Sequence, residues 1–186
     1  SLRDDAVKSA QGMQPQELTS AVAQAPGAQR KMVLIDPGHG GKDPGTVSDW
    51  AVEKEVALSI SLKVKAYLEA YGIQVQMTRS DDTYPTLEER ANAATPDINL
   101  FVSIHANAAP AVQAHGIETF IFGVPLDNAL IAQAIRENGG GAEGQARTQE
   151  ALQVAQGIEG DIFRETQLTY SQSLAELVQG KMVAAT

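Results

Sequence analysis

Met32 to Ile35 is an unbroken apolar run stopped by Asp36, Pro37 and Gly38, the pattern of a short buried strand. From Glu53 to Tyr71, the residues Val56, Ile60, Val64, Tyr67, Leu68 and Tyr71 recur at helical spacing, and Gly72 supplies the C-terminal stop. Ile73 to Thr78 alternates Ile, Val and Met with Gln and Thr, which predicts a strand with one covered face. Thr86 stands three residues before Glu89, a capping box that opens a short helix. Ile98 to Ile104 is nearly all apolar and runs into His105, which predicts a central strand. Gly116 to Gly123, with Ile117, Thr119, Phe120, Ile121 and Phe122, predicts one more strand. Strands alternating with helices predict an α/β fold, a mixed but mostly parallel sheet flanked by helices in a single domain.

Beyond Leu126 the pattern turns helical. Ala129 to Arg136 reads as a helix broken by Gly139, Gly140, Gly141 and Gly144. Thr148 to Gln156 is helical again, and Ser171 to Ala184 carries Leu174, Leu177, Val178 and Met182 as an amphipathic helix. Residues 1–30 differ from all of this: they are rich in Ala, Gln and Ser, hold Pro15 and Pro26, and keep no period. They read as a linker or tail ahead of a domain at 31–186.

Composition narrows the function classes. The 186 residues carry 14 Lys and Arg against 23 Asp and Glu, a net charge of −9, which argues against gripping nucleic acid or an anionic membrane. No apolar run is long enough for a membrane span. With no cysteine, disulfides, thiolate metal sites and cysteine nucleophiles are excluded. Ser1 is not followed by the apolar core of a secretory signal, so any such signal is expected to have been removed.

Three residues stand out chemically: His39 in Asp-Pro-Gly-His-Gly-Gly, Glu53 heading the long helix, and His105 ending the central strand. Parallel α/β sheets place their sites at the carboxyl ends of strands, where all three can converge. Two imidazoles and a carboxylate are a ligand set for a catalytic zinc. Each residue also has a plainer reading. The glycines around His39 suit a phosphate loop, although the Gly-Lys-Ser/Thr ending is missing. Glu53 suits the first turn of a helix. His105 suits a satisfied strand-end histidine.

The motifs in register weigh towards the metal reading. Asp36-Pro-Gly-His39-Gly-Gly-Lys-Asp-Pro-Gly45, Glu53-Lys-Glu55, Thr78-Arg79, Leu87 to Asn92, Phe101-Val-Ser-Ile-His105-Ala-Asn107-Ala and Gly116-Ile-Glu-Thr-Phe120 together resemble the zinc-dependent N-acetylmuramoyl-L-alanine amidases of the cell-separation type. The resemblance implies that His39, Glu53 and His105 bind zinc, with Glu53 preferred over Glu55. It implies hydrolysis of the amide between N-acetylmuramic acid and L-alanine in peptidoglycan, hence an exported protein of the periplasm or cell wall. Neutral imidazole is the ligand form, so metal affinity is expected to weaken as pH falls through about 6. Asp36 is a candidate to hold a ligand histidine's tautomer. Asn107 and Glu118 are candidates to line the cleft. Arg79 and Arg90 are expected to hold loops, and His115, outside the motif, to lie on the surface.

Two departures from the family pattern follow. The general base of the family is a glutamate on a late strand, and no such segment follows His105. The catalytic base is therefore unknown, with Glu118 a weak candidate, and the chain is expected to lack its C-terminal strand or to be inactive. Loss of a general base lowers rate by roughly 10²–10⁴-fold. The second departure is a helical insert at about 124–162, similar to one that covers the zinc cleft in cell-separation amidases until an activator protein moves it. Glu137, Glu143, Glu150 and Glu159 are the acids it offers to the metal, and Gly139 to Gly141 its hinge. Two alternatives stand beside the amidase. One is a zinc carboxypeptidase, weakened by the missing His-x-x-Glu spacing. The other is a non-catalytic module that binds peptidoglycan or a partner.

Overall fold

A computed structural model describes residues 31–106, 116–121, 128–137, 141–156 and 161–185. The chain divides into two compact units, Ser1–Ala106 and Asn107–Thr186. The tail at 1–30, Asn107, His115, Gly139, Gly140 and Glu159 lie outside the described residues.

The first unit is α/β. Its elements run β1 (Met32–Pro37), α1 (Glu53–Ala70), β2 (Gln74–Met77), α2 (Leu87–Asn92) and β3 (Leu100–Ile104). The sheet order is β2-β1-β3, and both pairings are parallel. β1 is central, so it is buried from Val33 to Pro37, as an unbroken apolar run requires. The flanking strands alternate in burial, each with one covered face.

Helix α1 lies on the sheet, but along a different line from the predicted stripe. Its buried residues are Glu53, Ala57 and Ser61, whereas Ile60 and Tyr67 are exposed. Small side chains on that line let the helix backbone come close to β1. The Ser61 hydroxyl is buried there without a hydrogen-bond partner among the described residues. An unsatisfied buried hydroxyl costs about 1–3 kcal/mol, and alanine is the better helix former. Ser61→Ala is therefore expected to stabilise the protein by about 1 kcal/mol. A urea midpoint that stayed put or fell would contradict this.

Helix α2 begins on the expected capping box. The Thr86 side chain accepts from the Glu89 N–H at 3.2 Å, and the Glu89 carboxylate accepts from the Thr86 N–H at 2.7 Å.

The second unit holds α3 (Asn128–Glu137), α4 (Gly141–Gln156) and α5 (Asp161–Val183). Three expectations change here. The predicted strand at Gly116 to Gly123 forms no ladder over 116–121. Instead Gln179 of α5 holds that segment, accepting from Thr119 Oγ1 at 2.7 Å and donating to the Ile117 carbonyl at 2.5 Å. Alternating residues make a strand only where a backbone partner exists. Gly144 is no helix break: it is buried inside α4, and a Cβ there would lie 2.2 Å from the Ile135 carbonyl oxygen. Its smallness lets α3 and α4 touch. Helix α5 also starts ten residues before its predicted apolar stripe, because 161–170 contains no Gly or Pro to stop it.

Candidate metal centre

In the parallel sheet, Pro37 pairs with Ile104, and the Gly38 N–H continues the ladder onto the Ile104 carbonyl at 2.9 Å. Gly38 and His105 are thus lateral neighbours just past the ends of β1 and β3. The His105 ring lies over Gly38, where a Cβ would fall 2.5 to 2.7 Å from three ring atoms. Gly38→Ala is expected to displace that ring and weaken metal binding by roughly 10–100-fold, the usual scale for losing support of a ligand. Competition with a chelating dye measures it, and unchanged affinity would show that the ring tolerates the shift.

His39 follows in the left-handed region, at φ 57°, a conformation rare outside glycine. That backbone turns its ring inward, leaving His39 6% exposed. Glu53, the first residue of α1, is 4% exposed, while Glu55 is exposed on the outer side. His39 Nε2 lies 3.1 Å from Glu53 Oε1. His105 Nδ1 lies 3.1 Å from the same oxygen and 3.2 Å from His39 Nε2. Three potential ligand atoms therefore form a nearly equilateral triangle. Bonds of about 2.0–2.1 Å to a tetrahedral zinc put ligand atoms about 3.3 Å apart, so the triangle fits that ion to within a few tenths of an ångström.

The supporting contacts also suit a cation. Asp43 Oδ2 sits 3.2 Å from His39 Nδ1. A neutral imidazole donating there keeps its Nε2 lone pair, which then faces the Glu53 carboxylate. Two electron-rich atoms face each other comfortably only across a positive charge. Glu53 is itself fixed by the Thr46 N–H on Oε2 and the Ala106 N–H on Oε1, both at 2.9 Å. Without a cation, burial pulls the His39 pKa down, but Glu53 and Asp43 outweigh it and the net direction is up. Burial pushes Glu53 up, and hydrogen bonds from His105, His39, Thr46 and Ala106 bring it well below the usual carboxylate range.

Asp36 does not play the part expected of it. It occupies the middle of a row across the sheet, accepting from Thr78 Oγ1 at 2.6 Å and Ser103 Oγ at 2.8 Å. Arg90 of α2 closes the row with a 2.5 Å bond to Asp36 Oδ1. The carboxylate on His39 is Asp43 instead, four residues along the loop.

Arg79 and Arg90 hold that loop by its carbonyls. Arg79 donates to Pro37 at 3.0 Å, Gly38 at 2.7 Å, Lys54 at 2.8 Å and Asp81 at 2.9 Å. Arg90 donates to Pro37 at 2.8 Å, His39 at 2.7 Å and Pro85 at 3.1 Å. Burial, then the nearby Arg90 charge, lowers the Arg79 pKa, though a guanidinium stays charged.

The remaining candidates lie apart in the sequence. Glu118 is exposed on the 116–121 segment. Glu143 is exposed on α4 and pairs with Arg147 at 2.5 Å. Glu137 and Glu150 fall on α3 and α4, with side chains outside the described residues.

Residues 33–186 match the family model for N-acetylmuramoyl-L-alanine amidase. The chain is 44% identical over 89 residues to the N-acetylmuramoyl-L-alanine amidase LytC of Bacillus subtilis, covering 47% of this chain and 18% of that one. It is 32% identical over 122 residues to the germination-specific N-acetylmuramoyl-L-alanine amidase of the same organism, covering 58% and 52%. Among solved structures it is similar to the catalytic domain of the amidase CwlV from Bacillus (Paenibacillus) polymyxa var. colistinus, at 41% identity, 46% and 50% coverage and a TM-score of 0.44. The matches span about half or less of the length of these relatives.

Proposed function

The chain belongs to the N-acetylmuramoyl-L-alanine amidase family, and on that premise we propose that it hydrolyses, with zinc, the amide between N-acetylmuramic acid and L-alanine in peptidoglycan. The convergence of His39 Nε2, Glu53 Oε1 and His105 Nδ1 carries this reading. These three residues would hold the ion. Zinc bound there supplies a Lewis acid for the carbonyl and lowers the pKa of a bound water. The protein's own work is to hold the ligands still. Asp43 keeps the proton on His39 Nδ1, and two backbone N–H groups aim the Glu53 carboxylate. The His105 side chain is 32% exposed, against 4% and 2% for His39 and Glu53, so the substrate carbonyl would come in over His105.

Purified sacculi test the reading. Turbidity should fall, new stem peptides should begin with L-alanine, and a chelator should stop both. Release of only a terminal residue would point to a carboxypeptidase. Retention on sacculi with no release would point to a binding module. The site of action that fits this substrate is the periplasm or cell wall.

The helical insert fits a covering role answered by an activator protein. This rests on the resemblance of the insert to that of the cell-separation amidases; α3 and α4 themselves meet at Gly144. Removing residues 124–158 is expected to raise basal hydrolysis of dye-labelled sacculi. Equal rates from two equally folded proteins would rule out a lid.

A further inference from the structure

Between the metal-centre loop and α1, the chain makes a small turn with an aromatic tip. Val47 and Val52 form an antiparallel bridge at its base. The Ser48 N–H donates to the Ala51 carbonyl at 3.0 Å, and Ser48 Oγ accepts from the N–H groups of Trp50 at 3.3 Å and Ala51 at 3.1 Å. The foot of the turn is joined to the metal centre twice: the Thr46 N–H reaches Glu53 Oε2 and the Glu53 N–H reaches the Thr46 carbonyl, both at 2.9 Å. The backbone is thus held, yet the Trp50 side chain is 93% exposed and Val47 is 62% exposed. So exposed an indole contributes almost nothing to folding, and its binding potential is left free.

We propose that Trp50 is a stacking platform for an N-acetylhexosamine ring of the glycan strand. The inference rests on the peptidoglycan reading of the metal centre. Trp50 is three residues from Glu53, a separation that extended chain spans in about 10 Å at most. The scissile amide hangs from a sugar, so a sugar must lie close to the ion whenever the amide reaches it. A flat π-face complements the C–H face of a pyranose as it does the face of a base. Charge selects among occupants. Exposed Asp49 beside Trp50 can accept from sugar hydroxyls but repels the carboxylates of a stem peptide and the phosphates of a lipid surface. The net charge of −9 opposes the lipid surface further.

Trp50 is the single tryptophan of the chain, so its fluorescence reports on this turn alone. The 186-residue chain should be titrated with peptide-free glycan strands, with free stem peptides and with phosphatidylglycerol vesicles. A saturable blue shift with glycan strands alone is expected. Trp50→Ala should lower glycan retention in co-sedimentation about ten-fold and raise KM on sacculi with little change in kcat. Trp50→Phe should recover part of the loss, and zinc stoichiometry should be unchanged in both. A blue shift with stem peptides or vesicles but not with glycan would overturn the assignment, as would Trp50→Ala that retained glycan like the parent. A glycan-dependent shift in a protein that takes up no zinc would uphold the platform and sink the metal-centre reading instead.

Discussion

His39→Ala is expected to abolish stoichiometric zinc binding and, with it, hydrolysis of sacculi. Zinc affinities of about 10–16 kcal/mol shared over three protein ligands put one ligand at about 3–5 kcal/mol, roughly 10²–10⁴-fold in affinity, enough to lose the ion on desalting. The variant should still fold. Glu53 keeps the N–H groups of Thr46 and Ala106 and the nearby His105, so its carboxylate is not stranded. Metal analysis after desalting, beside far-ultraviolet circular dichroism, makes the comparison. Asp43→Asn, which removes only the carboxylate on His39 Nδ1, should lose roughly 10–100-fold. One zinc per chain in His39→Ala, held as tightly as in the parent, would remove His39 from the site.

The second large effect is structural. Arg90→Ala is expected to cost about 3–5 kcal/mol, because it leaves the buried Asp36 carboxylate without its cation. It also takes a donor from the carbonyls of His39, Pro85 and Pro37, the last of which keeps Arg79. Against a total stability of about 5–15 kcal/mol, that is a large share of the fold. Arg90→Lys keeps the charge but not the fork, so it should fold with an intermediate loss. Denaturant midpoints of the two variants test the ranking. Both variants at the parent's midpoint would show that the Thr78–Asp36–Ser103 row stands without its guanidinium.

Much of the first unit was legible because its signals are local. The Met32–Ile35 run, the 53–70 helix, the Thr86–Glu89 box and the strand into His105 each depend on near neighbours. The meeting of His39, Glu53 and His105 followed from one topological rule, that parallel strands end together. What escaped depends on directions in space. Asp36 was the acid nearest the strand, but the left-handed residue at His39 re-aims the loop so that Asp43 meets the imidazole. The role of Ala57 and Ser61 was hidden, because hydrophobicity marks large side chains while close helix–sheet contact selects small ones. Gly144 looked like a break for the same reason. The residues at 116–121 have the alternation of a strand, but hydrogen bonds to and from a glutamine on α5 take the place of a ladder.

The left-handed backbone at His39 sets two selective pressures against each other at one position. Folding alone would favour glycine there, which meets φ 57° without the roughly 1–2 kcal/mol that a side chain adds. In a mutational library sorted only for soluble expression, glycine and asparagine should therefore gain at position 39. The same library sorted for lysis of cell walls should lose them. Histidine at this angle is a trade of stability for chemistry, and engineering for heat resistance has to find its gains away from the loop.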